Sequence, residues 1–209
     1  MSSLPEHLQS AAVGRERLPR EVVAEYQRDR ILSAATAVFA ERGYPATTID
    51  QIVAAAHVGV GSFYEHFQNK EDCFIAAYEG VVASVRAEIL AAASDREPWS
   101  EQLVAGLRAL LEAIEADPAA ARLALVEVHA AGEAALAQHS RNLDEVAELL
   151  RARRTQGGVS VDLPQSLEFA TAGGLSWYLQ ERIAAGGAAK ATNLLPELLE
   201  IVAEPYLVA

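Results

Sequence analysis

The amino-acid sequence predicts an all-α protein. Alanine accounts for 42 of the 209 residues, and aromatic residues for only 13. Alanine loses no side-chain entropy in a helix, whereas strands favour branched and aromatic side chains. Apolar residues also recur at helical spacing through most of the chain. Because 51% of the residues are hydrophobic, a chain of this length can bury a sizeable core. We therefore expect a globular protein of about nine helices.

The N-terminal segment is predicted to contain a polar arm followed by a long helix. Residues 1–19 show no periodicity and are expected to form a flexible arm. The arm ends in a proline, which is favoured in the first turn of a helix. The helix that follows is expected to end near Arg42, because Gly43 supplies a left-handed cap.

Two short helices are predicted next. Thr48 and Gln51 have the spacing of a capping box, in which each side chain accepts a hydrogen bond from the other residue's backbone. The helix that begins there stops around residues 57–59, and a second short helix carries Phe63 and Phe67 on one face. Two short helices joined by a tight turn are the arrangement of a helix-turn-helix.

The rest of the chain predicts longer amphipathic helices. Asn69 is expected to cap a helix that continues to about Ala93 and has acidic residues in its first turn. Prolines and glycines then divide the sequence into helices predicted over residues 98–116, 118–131, 133–156, 164–185 and 193–206.

The second short helix is predicted to expose a narrow, polar face. Phe63 and Phe67 point inward, and two glycines stand in the first turn. Glycine lets a backbone approach phosphates and base edges closely, which a helix serving only the core does not need. A helical hairpin that only completes the core is the alternative. The residues on the exposed face are Gly59, Val60, Gly61, Ser62, Tyr64 and His66.

The two short helices and their flanks contain Gly43-Tyr44, Thr47-Thr48-Ile49, Ile52, Ala56, Val58, Gly61, Phe63-Tyr64, His66-Phe67 and Lys70-Glu71. Together these residues resemble the signature of TetR-family transcriptional regulators. The resemblance implies a homodimer in which each subunit has a three-helix DNA-binding domain, here residues 20–68, and a larger helical domain, here residues 69–209, for effector binding and dimerisation.

The resemblance also implies which residues contact DNA. Thr48, Tyr64 and Lys70 would bind phosphates, and the first turn of the second short helix would face the bases. Their hydroxyl, phenol and ammonium groups can hydrogen-bond to phosphates, which positions a protein on DNA but does not distinguish one base sequence from another. The complete set of expected DNA contacts is Thr48, Gly59, Val60, Gly61, Ser62, Tyr64, His66 and Lys70.

The sequence departs from the family pattern at three positions. His57 stands where the turn usually has glycine, Gly59 replaces the usual serine cap, and Val60 replaces a frequent lysine or arginine. The recognition helix therefore has no basic residue, although arginine to guanine is the commonest bidentate base contact. We expect Val60 to contact a thymine methyl group, with Ser62 and His66 or the shape of the DNA completing recognition.

The charge of the chain disfavours loose adhesion to nucleic acid. The net charge is -12, so DNA binding must be local. One hypothesis is that Arg15, Arg17 and Arg20 of the arm reach a minor groove or flanking phosphates. The alternative is a solvated tail.

The larger domain is expected to hold an apolar effector pocket and the dimer interface. Each candidate pocket residue has an alternative role as ordinary core filling. The helices over 164–185 and 193–206 have excess apolar surface, and Gly173-Gly174 would allow a close neighbour, so we expect them to pair with their copies. The pocket candidates are Phe74, Tyr78, Trp99, His129, Phe169, Trp177 and Tyr178.

Several function classes are disfavoured. His129 and Glu133 have metal-ligand spacing but lack a third ligand, and Cys73 is the single cysteine, so neither a metal nor a cofactor is expected. We find no catalytic motif, no membrane span and no secretion signal, which predicts a cytoplasmic protein that is not an enzyme.

The predicted function is transcriptional regulation. We expect a repressor that a small-molecule effector releases from a two-fold symmetric DNA operator. The alternative is a dimeric small-molecule-binding or scaffold protein whose helix-turn-helix does not grip DNA.

Overall fold

The computed structural model describes residues 19–94, 98–156, 164 and 166–207. These ranges form nine α-helices and contain no strand, which confirms the predicted fold class. Two short 3₁₀ helices, Glu127–Ala130 and Gly187–Leu194, precede α7 and α9. Except for its last residue, the predicted arm lies outside the described residues. The helices are α1 (Arg20–Arg42), α2 (Ile49–Ala56), α3 (Val60–His66), α4 (Lys70–Ala93), α5 (Trp99–Ala116), α6 (Pro118–Leu125), α7 (Glu133–Gln156), α8 (Leu167–Ala184) and α9 (Leu195–Leu207).

The predicted helix ends in the N-terminal segment are confirmed by their local hydrogen bonds. Gly43 follows α1 with a positive φ of 80°. Thr48 and Gln51 form the capping box: the Thr48 hydroxyl accepts from the Gln51 amide, and the Gln51 side chain accepts from the Thr48 amide at 2.9 Å. The Asn69 side chain accepts from the Asp72 amide at 2.9 Å and caps α4. Local chemistry therefore determines where these helices begin.

A first hydrophobic core joins α1 to α4. Phe39, Tyr44 and Phe74 form a triangle of rings with centroid separations of 5.1 to 5.5 Å, at which aromatic pairs add to the stabilisation from burial. Phe63 and Phe67 anchor α3 to this core and are at most 3% exposed. The orientation of α3 is therefore set by two buried rings.

The first core also includes residues from later in the chain, and a second core holds the C-terminal part together. Leu123 of α6, Val128 of the first 3₁₀ helix and Ala135 of α7 belong to the first core. The second core forms between α5, α8 and α9 around residues such as Leu111 and Leu179.

Three helix boundaries differ from the prediction. α6 ends at Leu125 rather than near residue 131, because the chain tightens there into the 3₁₀ helix that places Glu127 against the N-terminal segment. α8 begins at Leu167 rather than at residue 164. α9 begins at Leu195 rather than at residue 193, since Thr192 before it donates both its amide and its hydroxyl group to Glu115 of α5.

Candidate DNA interface and effector cavity

The turn between α2 and α3 is held in a conformation that side chains rarely adopt. His57 has a φ of 53° and ψ of 44°, the left-handed region that glycine favours. Its amide donates to the Ala54 carbonyl, and Arg30 of α1 donates to its carbonyl oxygen at 3.3 Å. The departure from glycine at this position is therefore accommodated without loss of the turn.

One face of α3 is open. Val60 is 43% exposed and Tyr64 is 57% exposed. A Cβ atom built on Gly59 or Gly61 would meet no atom within 4 Å. We call these four residues the open face of α3. Its side chains are short except at Tyr64, so another molecule can approach the backbone closely.

Ser62 and His66 differ from the residues of the open face because they are only partly exposed. Ser62 hydrogen-bonds to the side chain of Gln27 on α1, with a distance of 3.1 Å between Oγ and Oε1. His66 has a buried Nε2 atom that meets no hydrogen-bond partner in the described part of the chain. A base contact by Ser62 therefore has to compete with its bond to α1.

Thr48 and Lys70 both serve the local structure. Thr48 is exposed, and its hydroxyl caps α2. Lys70 donates from Nζ to the carbonyl oxygens of Tyr44 at 2.8 Å and Thr47 at 2.9 Å. The ammonium also lies 4.2 Å from the Tyr44 ring centroid, and burial lowers the pKa of Lys70. At most one of its three hydrogens remains for a phosphate.

Sequence reasoning missed the contribution of α1 to this surface. Gln27 and Arg30 contact α3 and the turn, and the Arg28 guanidinium lies 5.6 Å from the Phe67 ring centroid. Arg28 and Arg30 place positive charge beside a helix that has none of its own. No sequence pattern within α1 predicted these contacts, because their partners, His57, Ser62 and Phe67, lie far along the chain from α1. Of the three arginines proposed for the arm, Arg20 opens α1 and is exposed, whereas the other two lie outside the described residues.

A large cavity lies between α4, α5, α7 and α8. Its volume is about 1160 Å³, and its walls are mainly apolar. Of the seven aromatic and histidine residues predicted for the effector pocket, Tyr78 and Trp99 line it. The other five occupy other places: Phe74 is in the first core, His129 packs edge-to-face against His139, Tyr178 hydrogen-bonds to Glu197, and Phe169 and Trp177 are exposed on α8.

One corner of the cavity is polar. His139 Nδ1 lies 3.0 Å from the Tyr78 hydroxyl, and its Nε2 lies 3.4 Å from the Ser176 hydroxyl. Burial and the neighbouring His129 ring lower the pKa of His139, and burial raises the pKa of Tyr78 to about 12. Both groups are therefore neutral near pH 7.

The comparison with known families identifies the N-terminal segment. Residues 31–77 match the family of bacterial regulatory proteins described as the tetR family. The helix-turn-helix segment of the chain therefore matches the TetR family. The matched segment runs from the middle of α1 into α4 and contains the whole helix-turn-helix.

Several transcriptional regulators resemble the chain over different lengths. The uncharacterized HTH-type transcriptional regulator YhgD of Bacillus subtilis is 35% identical over 39% of this chain and 43% of its own length. The HTH-type transcriptional repressor KstR2 of Rhodococcus jostii is 29% identical over 84% of this chain and 89% of its own. The crystal structure of FadR from Bacillus subtilis, in complex with stearoyl-CoA, superposes with a TM-score of 0.72 at 18% identity, covering 83% of this chain and 96% of FadR.

Several curated relatives match the chain over only part of their own length. The matched part spans less than half the length of several curated relatives, namely 43%, 29% and 36% of three of them. The structural likeness to FadR covers 83% of this chain and shows a shared fold. Within the described ranges, no helix could cross a bilayer, and no three His, Cys, Asp or Glu side chains are grouped to hold a metal ion.

Proposed function

We propose that this TetR-family chain is a DNA-binding transcriptional regulator, a repressor that a small-molecule effector releases from its operator. The observation that carries the proposal is the open face of α3, which lies inside the matched family segment. A helix so lightly covered can enter a major groove, which is about 12 Å wide. The large apolar cavity supplies a place for an effector.

The proposed DNA contacts divide into positioning and reading groups. Thr48, Tyr64 and Lys70 bind phosphates, and they hold the register of α3 on the duplex. Val60 contacts a thymine methyl group, since α3 has no lysine or arginine to reach guanine. Gly59, Gly61, Ser62 and His66 complete the surface facing the bases.

The proposed active form is a homodimer that pairs α8 and α9 with their copies. Phe169 and Trp177 are 52% and 64% exposed on α8, and Ile201 is 40% exposed on α9. Gly173 lies between the two aromatic residues and has open space around it. A two-fold dimer would bind a two-fold symmetric operator in the cytoplasm, with its α3 helices about one turn of DNA apart.

The proposed effector acts through α4. This helix begins at Lys70, next to the loop before α2, and its later residues line the cavity. A ligand that moves α4 changes the separation of the two α3 helices and hence the affinity for DNA. Coupling of this kind is typically about 1 to 3 kcal/mol and acts equally in both directions.

The test is direct binding of the full chain to DNA from the region upstream of its own gene. Fluorescence anisotropy should show saturable binding that a scrambled duplex does not reproduce. Tyr64→Ala should weaken binding by about tenfold, because it removes a phosphate contact. Leu136→Ala, which changes an exposed residue of α7, is the control and should bind like the wild type.

A second candidate is a dimeric small-molecule-binding or scaffold protein that does not bind DNA. The absence of basic residues from α3 and the net charge of -12 favour it. If the chain still dimerises but binds neither the upstream nor the scrambled duplex, this candidate is supported and regulation is contradicted.

A further inference from the structure

The cavity between α4, α5, α7 and α8 requires a mainly apolar occupant. Its volume of about 1160 Å³ is sufficient for a drug-sized molecule, since ligand pockets typically measure about 300 to 1,000 Å³. Ile89, Leu103, Leu107 and Leu110 are among its lining residues. Removing the apolar surface of a ligand from water against such walls supplies most of its binding free energy.

The polar corner offers a neutral hydrogen bond. When Tyr78 donates to Nδ1 of His139, the Nε2 hydrogen of His139 points to Ser176, because a neutral imidazole carries one donor and one acceptor. Ser176 then keeps its own hydroxyl hydrogen. That hydrogen can be donated to a carbonyl or hydroxyl oxygen in the cavity.

Each of the two arginines that line the cavity already has a polar partner. Arg86 pairs with Glu145 at 2.5 Å and donates a second hydrogen bond to Asn142 at 2.9 Å. Arg141 donates to Gln138. A carboxylate or phosphate ligand would compete with Glu145 for the charge of Arg86.

The charged residues around the cavity are mainly acidic. Five carboxylates line it against the two arginines, and all five belong to exposed residues. This excess of carboxylates over arginines disfavours an anionic ligand. These residues are Glu88, Asp117, Asp144, Glu145 and Glu148.

We propose that the cavity binds an uncharged, mainly apolar molecule whose carbonyl or hydroxyl oxygen accepts a hydrogen bond from Ser176. This names the ligand class of the proposed effector site and rests on the proposed function. It also distinguishes this cavity from that of the structurally similar FadR, which was crystallised with stearoyl-CoA, a ligand with charged phosphates.

The proposal is tested with matched linear compounds that compete with the uncharged dye Nile red for the full chain. The compounds are methyl dodecyl ketone, tetradecanoate, tetradecanoyl-CoA and tetradecyltrimethylammonium. The ketone should bind at least about tenfold more tightly than each charged compound, because it adds no unpaired charge. Tighter binding of any charged compound, or failure of the ketone to displace the dye, would overturn the proposal.

Two pairs of variants test the assigned contacts. Ser176→Ala should weaken binding of the ketone severalfold, whereas Ser84→Ala, at another lining serine, should not. Glu145→Gln releases Arg86 and should strengthen binding of tetradecanoate by about tenfold. Glu148→Gln removes the same charge from α7 but leaves the Arg86 pair intact. Equal effects within either pair would refute the contact that the pair tests.

Failure of this proposal is distinguishable from failure of the proposed function. If the ketone binds as expected but the chain does not bind upstream DNA, the ligand class holds and regulation fails. If tetradecanoyl-CoA releases the chain from DNA and the ketone does not bind, regulation holds and the ligand class is wrong.

Discussion

Gly61 stands in α3 with open space where a side chain would begin. Gly61→Ala should raise the free energy of unfolding by about 0.5 to 1 kcal/mol, because alanine is the better helix former. It should nevertheless weaken operator binding if the α3 backbone lies against DNA. Chemical denaturation and anisotropy measure the two effects. Gly80→Ala in α4, which also has open space, is the control: it should stabilise the protein and leave DNA binding unchanged.

Val60 offers a test of base contact that does not depend on knowing the whole operator. Val60→Ala should weaken binding by about 1 kcal/mol or more through the lost contact with a thymine methyl group. Replacing each thymine in turn by deoxyuracil removes that methyl group from the DNA. On DNA with deoxyuracil at the contacted position, Val60→Ala should bind as tightly as the wild type. If Val60→Ala still binds more weakly than the wild type on every deoxyuracil-substituted duplex, the proposed contact is contradicted.

His139 should make stability depend on pH. Burial and the His129 ring lower the pKa of His139, and its partners Tyr78 and Ser176 are neutral. As the pH falls below about 6.5, the unfolded chain takes up a proton that the folded chain does not, so the free energy of unfolding decreases. His139→Gln should flatten this dependence in denaturation curves recorded between pH 7 and pH 5. An unchanged slope would assign the dependence to other groups.

At the scale of elements, Glu127 links the N-terminal segment to the wall of the cavity. Its carboxylate accepts from the Tyr44 amide at 2.9 Å and pairs with Arg122 of α6 at 3.1 Å, and the residue is only 5% exposed. Other residues of α6 line the cavity. We therefore expect a displacement of α6 by a ligand to reach the loop that precedes α2 through this contact, beside the proposed route along α4.

Glu127→Ala should uncouple ligand from DNA. Loss of the acceptor leaves the Tyr44 amide without its partner, which should reduce the free energy of unfolding by about 1 to 3 kcal/mol. The decrease in operator affinity caused by a bound ligand should also become smaller. Anisotropy titrations with and without ligand measure the coupling. Glu133→Ala, at an exposed position of α7, should retain it, and full coupling in Glu127→Ala would point to another route.

Local sequence patterns predicted where most of the helices begin and end. They did not predict contacts between residues that lie far apart in the sequence. The capping box at Thr48 and the Asn69 cap depend on residues three apart, so their spacing was sufficient to locate them. The end of α6 and the roles of Gln27 and Glu127 depend on partners 35 to 83 residues away. Such contacts are set by how helices pack, which no local pattern encodes.

At the scale of the whole molecule, α8 exposes two aromatic side chains, Phe169 and Trp177, on the described surface. Trp177→Arg should shift the chain from dimer to monomer in sedimentation velocity at micromolar concentration, because it places a charge in the proposed interface. Operator binding should weaken with it, since a single α3 contacts only half of a two-fold site. Leu136→Arg changes an exposed apolar residue outside α8 and α9 and should remain dimeric. A dimeric Trp177→Arg protein would place the interface elsewhere.

The first core has a consequence for anyone who wishes to shorten or recombine the chain. A fragment ending at residue 77 would retain the matched family segment but lose Leu123, Val128 and Ala135, which are buried in the same core. The facing apolar surfaces would then meet water, which favours aggregation and digestion by proteases. A chimera that borrows this DNA-binding segment therefore has to bring α6 and the start of α7 with it.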